Sequence, residues 1–297
     1  MDTIIQHIKY SASKKNNFKE SIYLVISLKR NSKGKLIEAR GLRTRKSSIY
    51  VPGQTETFRI SRSKFNDFLT CRRCFYLDRV IGVISPSTPG WTLNETTDIL
   101  LKKEFDALRK TQLPHRIFEA YGLNNVIPFS HPDLDHWRNS LHGGLEGKIE
   151  GTNIVLHGGI DDLWYDTSKE EVIIVDYKSQ ANKYPVTQEY YLSNVHHESY
   201  KIQLDVYGYL LNKIGFAVSN IGFFYVCNAN RNANSFEGKM LFEENLVPYQ
   251  LDRSWIEDAV KDMTNVLNCE QLPEINPHCE NCAYSRERAR IEGIIPA

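Results

Sequence analysis

The 297-residue chain lacks any uninterrupted apolar run of about 18 residues, so no membrane-spanning helix is expected. The segment from Met1 to Tyr10 has no apolar core stretch and no small-residue cleavage pattern. That argues against a secretory leader and makes the cytoplasm the expected compartment. No G-x-x-x-x-G-K-[ST] segment occurs, so the chain carries no P-loop motor of its own. Internal repeats and low-complexity tracts are also missing, which sets aside solenoids and arrays. A strong overall charge is absent: 37 Lys and Arg face 36 Asp and Glu, a net charge of +1. Hydrophobic and charged fractions of 41% and 25% suit an ordinary globular chain with room for one large α/β domain.

The even balance hides an uneven distribution. Up to Tyr50, twelve Lys or Arg meet three Asp or Glu, a charge of +9, so the remainder carries −8. A basic arm on an acidic body suits an electrostatic hold on nucleic acid, and suits a solvated hairpin or tail equally well. Residues 1–57 read as a separate basic extension, a β-hairpin in outline. Ser21 to Leu28 is a β-type run, Asn31-Ser32-Lys33-Gly34 can turn the chain, and Lys35 to Tyr50 can return as a polar strand. Pro52-Gly53 then punctuates the boundary with a main domain over 58–297.

In that domain, Ser61 or Ser63 can cap a helix that continues to Arg79. A second helix is expected from Asn94 to Arg109, with Ile99, Leu100, Phe105 and Leu108 as its buried positions. Strands are expected over Gly147 to Glu150, Ile154 to Tyr165, Glu171 to Lys178, Ile221 to Cys227 and Lys239 to Val247. Helices are expected from Glu198 to Ile214 and from Ser254 to Leu267.

The chemistry concentrates in Gly158-Gly159-Ile160-Asp161 and Val172-Ile173-Ile174-Val175-Asp176-Tyr177-Lys178. Alternate residues of a strand share a face, so Asp176 and Lys178 project together, with Tyr177 opposite. The run before them is almost wholly apolar and suits a strand buried on both faces. A carboxylate and an amine at the end of such a strand are costly unless something uses them. Asp161 lies on the preceding strand, where antiparallel pairing can bring its carboxylate beside that of Asp176. Asp162 falls on the other face. Two adjacent carboxylates repel, and a hard divalent cation, Mg²⁺ or Mn²⁺, resolves that repulsion. Such an ion can activate water toward a phosphodiester, with Lys178 orienting the water or stabilising the transition state. Taken alone, D-x-K also describes a common surface ion pair.

The order G-x-x-D, apolar-D-Y-K, then Gln203-Leu204-Asp205-Val206-Tyr207 resembles the RecB-type branch of the PD-(D/E)XK nuclease superfamily. The branch includes CRISPR-associated adaptation nucleases and helicase–nuclease subunits. The resemblance covers about residues 60–285. It implies a restriction-endonuclease-like α/β core, a mixed β-sheet flanked by helices, with metal ligands at one sheet edge. It implies catalytic roles for Asp161, Asp176, Lys178, Gln203 and Tyr207, the last two sharing a helix face four residues apart. The family also draws a His or Glu from an earlier helix. Glu104 is the candidate, in Leu101-Lys102-Lys103-Glu104-Phe105-Asp106, with Glu95 and Asp106 competing. The expected metal ligands are thus Asp161, Asp176 and Glu104.

Six cysteines remain. Without a secretory leader, two C-x-x-C pairs point to a metal or cluster rather than to disulfides. Cys71 and Cys74 are expected on one side of a helix, and Cys279 and Cys282 lie far downstream. Relatives in the RecB-type branch hold a [4Fe–4S] cluster with one N-terminal cysteine and a C-terminal trio. This chain departs from that: it has two and two, and no cysteine follows Cys282. The cofactor expected is [4Fe–4S], with Zn²⁺ as the alternative. Cys227 reads as core, and Cys269 as a spare.

The function implied is metal-dependent hydrolysis of DNA, single-stranded or end-bearing, in repair, recombination or defence, with a helicase or similar partner supplying any unwinding. The alternatives are a retired nuclease fold that binds nucleic acid or plays a structural part, and an RNA-directed nuclease.

Overall fold

The structure, a computed structural model, describes residues 28–86 and 91–294. The chain divides into two compact units, Met1–Arg40 with Pro86–Pro89, and Gly41–Ser85 with Gly90–Ala297. The expected strand from Ser21 lies outside the described residues up to position 27. In the first unit the turn at Asn31 to Gly34 does form. Asn31 Oδ1 accepts the backbone N–H groups of Lys33 and Lys35, both at 3.0 Å, and Arg30 bridges Leu36 in antiparallel sense. The residues after it form no return strand, and Lys46–Ser48 is a single 3₁₀ turn.

The second unit contains two sheets. The larger is built on β2 (Val126–Pro128), β5 (Asp162–Asp166), β6 (Glu171–Gln180), β7 (Ile221–Ala229) and β8 (Phe242–Gln250), in the spatial order β2-β5-β6-β7-β8. Only β6 and β7 run parallel; the other neighbours are antiparallel. Parallel neighbours need a long crossover, and α7 (Glu198–Lys213) supplies it. The smaller sheet orders β1 (Phe58–Ser61), β4 (Ile154–Gly158) and β3 (Leu145–Lys148) as β1-β4-β3. This is the mixed α/β architecture that the motif order implies.

β6 is the central strand, and its period-2 alternation divides the core. Val172 and Ile174 pack with Leu204, Val206 and Phe224 on the side of α7. Ile173, Val175 and Tyr177 pack with Trp164, Tyr225 and Phe105 on the side of α3 (Thr92–Thr111). With a helix layer on each face, a charge anywhere from Val172 to Tyr177 needs a partner, and Asp176 is the residue that brings one.

Three expectations about elements change. The helix through Arg79 is interrupted: α1 (Arg62–Thr70) ends at Cys71, whose backbone is extended, and α2 (Arg72–Tyr76) restarts after it. The run from Ile154 to Tyr165 splits into β4 and β5, which belong to different sheets. At Gly159 a Cβ would stand 2.8 Å from Ser140, and Ile160 N–H donates to Trp137 O at 3.1 Å, so the chain leaves strand geometry there. In α3 the buried positions are Leu101, Phe105 and Arg109, while Ile99 and Leu100 face solvent.

The remaining helices are α4 (Arg116–Ala120), α5 (Leu134–Arg138), α6 (Gln188–Ser193), α8 (Ile256–Leu267) and α9 (Glu280–Ile291). Tyr50 is part of the second unit's core: it stacks edge-on against Phe58 at 5.2 Å, and its hydroxyl reaches Asn268 Oδ1 at 3.1 Å. Among the described residues no helix is long and apolar enough to cross a membrane.

Candidate active site

A cleft of about 530 Å³ opens where the first turns of α3, the link before β5, the second half of β6 and the start of α7 meet. Arg62, Asp98, Asp161, Lys178, Tyr200 and Gln203 line it. Register explains the meeting of the carboxylates. Asp162 pairs with Val175, so one residue back Asp161 stands opposite Asp176, just ahead of β5 rather than within a strand. Tyr177 N–H donates to Asp161 Oδ2 at 2.9 Å and fixes that carboxylate.

Asp176 is fully buried. Its Oδ1 accepts from Gln203 Nε2 at 2.6 Å, a bond that reaches from α7 to β6. Its Oδ2 forms an ion pair with Lys178 Nζ but receives no hydrogen bond in good geometry. Burial raises the Asp176 carboxyl above its ordinary range; Lys178 opposes the rise and Asp161 adds to it. Burial acts the other way on Lys178, but the carboxylates of Asp176 and Asp161 more than offset it and its ammonium is raised. The same ammonium sits 4.6 Å from the centre of the Tyr200 ring, an attractive cation–π placement.

Asp98 completes the acidic set. Lys102 Nζ is 2.9 Å from its Oδ2 and 3.8 Å from Asp161 Oδ1, so one lysine lies between the two carboxylates. The Oδ1 of Asp98 is buried with no partner. Burial first, then the charge of Asp161, pushes the Asp98 carboxyl up. Glu95, Asp98 and Asp161 line the cleft, with Asp176 buried opposite Asp161; Asp98 and Asp176 each have an oxygen lacking a hydrogen bond, and hard oxygen donors of this kind suit a divalent cation.

Glu104 is not brought to this cleft. Six residues beyond Asp98 on a 3.6-residue helix, it points well away from the Asp98 face. Its carboxylate instead meets His115 Nε2 at 2.8 Å and Arg116 Nε at 3.4 Å, and it is itself exposed. Placing Ile99 and Leu100 in the core sets the helix phase wrongly and hides Asp98. The signal lies in Glu95, Asp98 and Lys102, polar residues spaced i, i+3 and i+7 on one face.

Gln203 and Tyr207 share the inner face of α7, with Gln203 Nε2 3.4 Å from the Tyr207 hydroxyl. Tyr207 is buried, and burial pushes its phenol up to about 12. A Cβ on Gly158 would stand 2.7 Å from Tyr207 Cε1, so glycine at the end of β4 makes room for this ring.

Asp162 faces the opposite side. It accepts from Tyr177 Oη at 2.6 Å and pairs with Arg109 and Arg138, all four groups being buried or nearly so. The two adjacent aspartates therefore divide the labour, Asp161 lining the cleft and Asp162 anchoring the far face of β6.

Away from the cleft, Cys71, Cys74, Cys279 and Cys282 converge, their sulfurs all within 4.8 Å of one another. Each C-x-x-C pair occupies the cap and third position of a helix: Cys71 precedes α2 and Cys279 precedes α9. The set can hold a metal. Cys227 is buried in β7, and Cys269 is exposed outside the cluster.

Comparison with known proteins gives a match between residues 59–286 and the model of the PD-(D/E)XK nuclease superfamily. No curated protein matches the chain. A crystal structure from Eubacterium rectale, provisionally described as an exonuclease, is similar at 13% identity. That similarity covers 81% of this chain and 89% of the other, with a TM-score of 0.39.

Proposed function

Because the chain belongs to the PD-(D/E)XK nuclease superfamily, we propose that it is a divalent-metal-dependent deoxyribonuclease of the RecB-type branch, acting on single-stranded or end-bearing DNA. The observation that carries this reading is the Asp176–Lys178 ion pair, held by Gln203 at 2.6 Å, with Lys178 and Asp161 lining one cleft. The Gln203 and Tyr207 pair on α7 supports the branch.

Asp161 and Asp176 would hold Mg²⁺ or Mn²⁺, with Asp98 in the place that the sequence offered to Glu104. When bound, such an ion lowers the pKa of water and polarises the scissile phosphate. Lys178 orients the attacking water and offsets negative charge developing on the phosphorus oxygens. Gln203 keeps the Asp176 carboxylate from rotating, and Tyr177 N–H does the same for Asp161. Arg62, at the cleft wall, is placed to contact a phosphate. The basic extension adds a sequence-independent hold on the backbone. With no P-loop segment in the chain, a helicase or similar partner supplies strand separation in a repair, recombination or defence setting.

The test is incubation of the full chain with end-labelled single-stranded, duplex and circular DNA, and with RNA, in the presence of Mg²⁺ or Mn²⁺. Metal-dependent loss of linear DNA, with slower loss of circles, is expected. Cleavage of RNA alone, or of nothing, would overturn the assignment.

A further inference from the structure

The branch that the sequence resembles holds a [4Fe–4S] cluster at its cysteines, and the four cysteines here do not fit one. Cys71 Sγ lies 3.7 Å from Cys282 Sγ, and Cys74 Sγ lies 3.6 Å from Cys279 Sγ and 3.5 Å from Cys282 Sγ. In a cubane each thiolate binds a different iron. Two ligand sulfurs are then separated by two outward-pointing metal–sulfur bonds and the iron–iron spacing, with sulfides between the irons. Three gaps of 3.5–3.7 Å, with all six within 4.8 Å, are shorter than that spacing. A single ion fits them. With a Zn–S bond of about 2.3 Å, a regular tetrahedron of four sulfurs has edges of about 3.8 Å.

We infer that Cys71, Cys74, Cys279 and Cys282 form a closed, structural, mononuclear tetrahedral site for one zinc ion. The two-plus-two arrangement supports it: each pair enters from the start of a helix, α2 or α9, and contributes sulfurs three residues apart. Cys71 and Cys282 are buried, and Cys74 and Cys279 are only partly exposed, so no position is left open for water or substrate. Four protein ligands and no open position mark a structural zinc site rather than a catalytic one. Polar contacts around the site favour the same closed state: Arg73 donates to Pro273 O at 3.0 Å, and Asn276 Nδ2 donates to Thr70 O at 2.9 Å. These hold the loop before α9 against the break between α1 and α2.

The test uses the full chain purified under anaerobic conditions, so that an oxygen-sensitive cluster would survive. Zinc, iron and acid-labile sulfide are measured with the visible spectrum. About one zinc per chain, no labile sulfide and no band near ~400 nm are expected. Replacement of the zinc by cobalt should give the visible bands of a tetrahedral thiolate site. Cys74→Ser should lose the metal and Cys269→Ser should keep it. Should Cys74→Ser fail to fold, the stoichiometry of the unaltered chain still decides. Iron with sulfide, or protein containing no metal, would overturn the inference. None of these readouts depends on DNA cleavage, so they stand or fall apart from the nuclease assignment.

Discussion

Tyr177 donates its hydroxyl to Asp162 at 2.6 Å on one face of β6, while its own backbone N–H donates to Asp161 at 2.9 Å at the strand's edge. One residue thus ties together two neighbouring aspartates that serve opposite faces. Arg109 and Arg138 complete the buried side of this arrangement.

Removing Asp162 should therefore harm the fold, and removing Asp161 should harm only the cleft. Asp162→Ala removes the buried carboxylate shared by Arg109, Arg138 and the Tyr177 hydroxyl, and leaves the two arginines only the more exposed Asp106. A loss of about 3–5 kcal/mol is expected for breaking a buried ion pair from one side. Urea unfolding of Asp162→Ala and Asp161→Asn measures the contrast. Equal stabilities would refute it.

Lys178→Ala should abolish cleavage, with a fall of at least about 100-fold in turnover, the scale of removing one charge-stabilising donor. The side chain lines the cleft, so DNA affinity of the folded variant should stay near its starting value, while losing the partner of the buried Asp176 carboxylate should cost some stability. Single-turnover cleavage alongside binding titrations separates the two, and turnover like that of the unaltered chain would remove the residue's role.

Asp98→Asn and Glu104→Gln form a matched pair on one helix. The first should depress metal-dependent cleavage and raise the metal concentration needed for half-maximal rate. The second should leave both nearly unchanged, because Glu104 bonds to His115 and Arg116 elsewhere. A metal titration in which the two variants exchange these behaviours would restore Glu104 to the site.

Acid stability should depend on Asp78. Burial works to raise this carboxyl, but Arg79, Arg43 and Lys64 together hold it down at about 2, against an ordinary value of 3.8. A depressed carboxylate contributes stability that is complete above its unfolded pKa and lost as pH falls toward the folded one. The window is thus roughly pH 4 down to pH 2. Asp78→Asn should be less stable at neutral pH and show a shallower decline across that window in pH-dependent denaturation. An unchanged slope would count against the network.

Deletion of the basic extension should leave a chain that begins at Gly41, because Tyr50 belongs to the core. Residues 1–40 carry nine Lys or Arg against three Asp or Glu. Their removal should weaken DNA binding most at low salt and flatten its salt dependence, by about one unit of slope for every phosphate the extension neutralises. Cleavage at saturating DNA should survive. An unchanged slope in a folded truncation would show that the extension does not grip nucleic acid.

Much of this was legible in the sequence for one reason: strand alternation is rigid. Once Val172 to Lys178 is read as a buried strand, the sides of Asp176, Tyr177 and Lys178 follow without knowledge of the neighbours. Helix phase is softer. Both Ile99-Leu100 and Leu101 offer an apolar stripe for α3, and only tertiary packing chooses Leu101 and Phe105. That choice moves the acidic position from Glu104 to Asp98. The break at Cys71 is hidden for a similar reason, since no Gly or Pro marks it. The four sulfurs gather there, a relation between positions more than two hundred residues apart that no local pattern carries.

The cysteine cluster also has a consequence in time. Two of its sulfurs are synthesised about two hundred residues before the other two. Until the second pair is made, Cys71 and Cys74 offer only half of the proposed coordination shell, their thiols open to oxidation or to the wrong metal. α9 would close that shell, so Cys71 and Cys74 are most vulnerable in the interval before it is made.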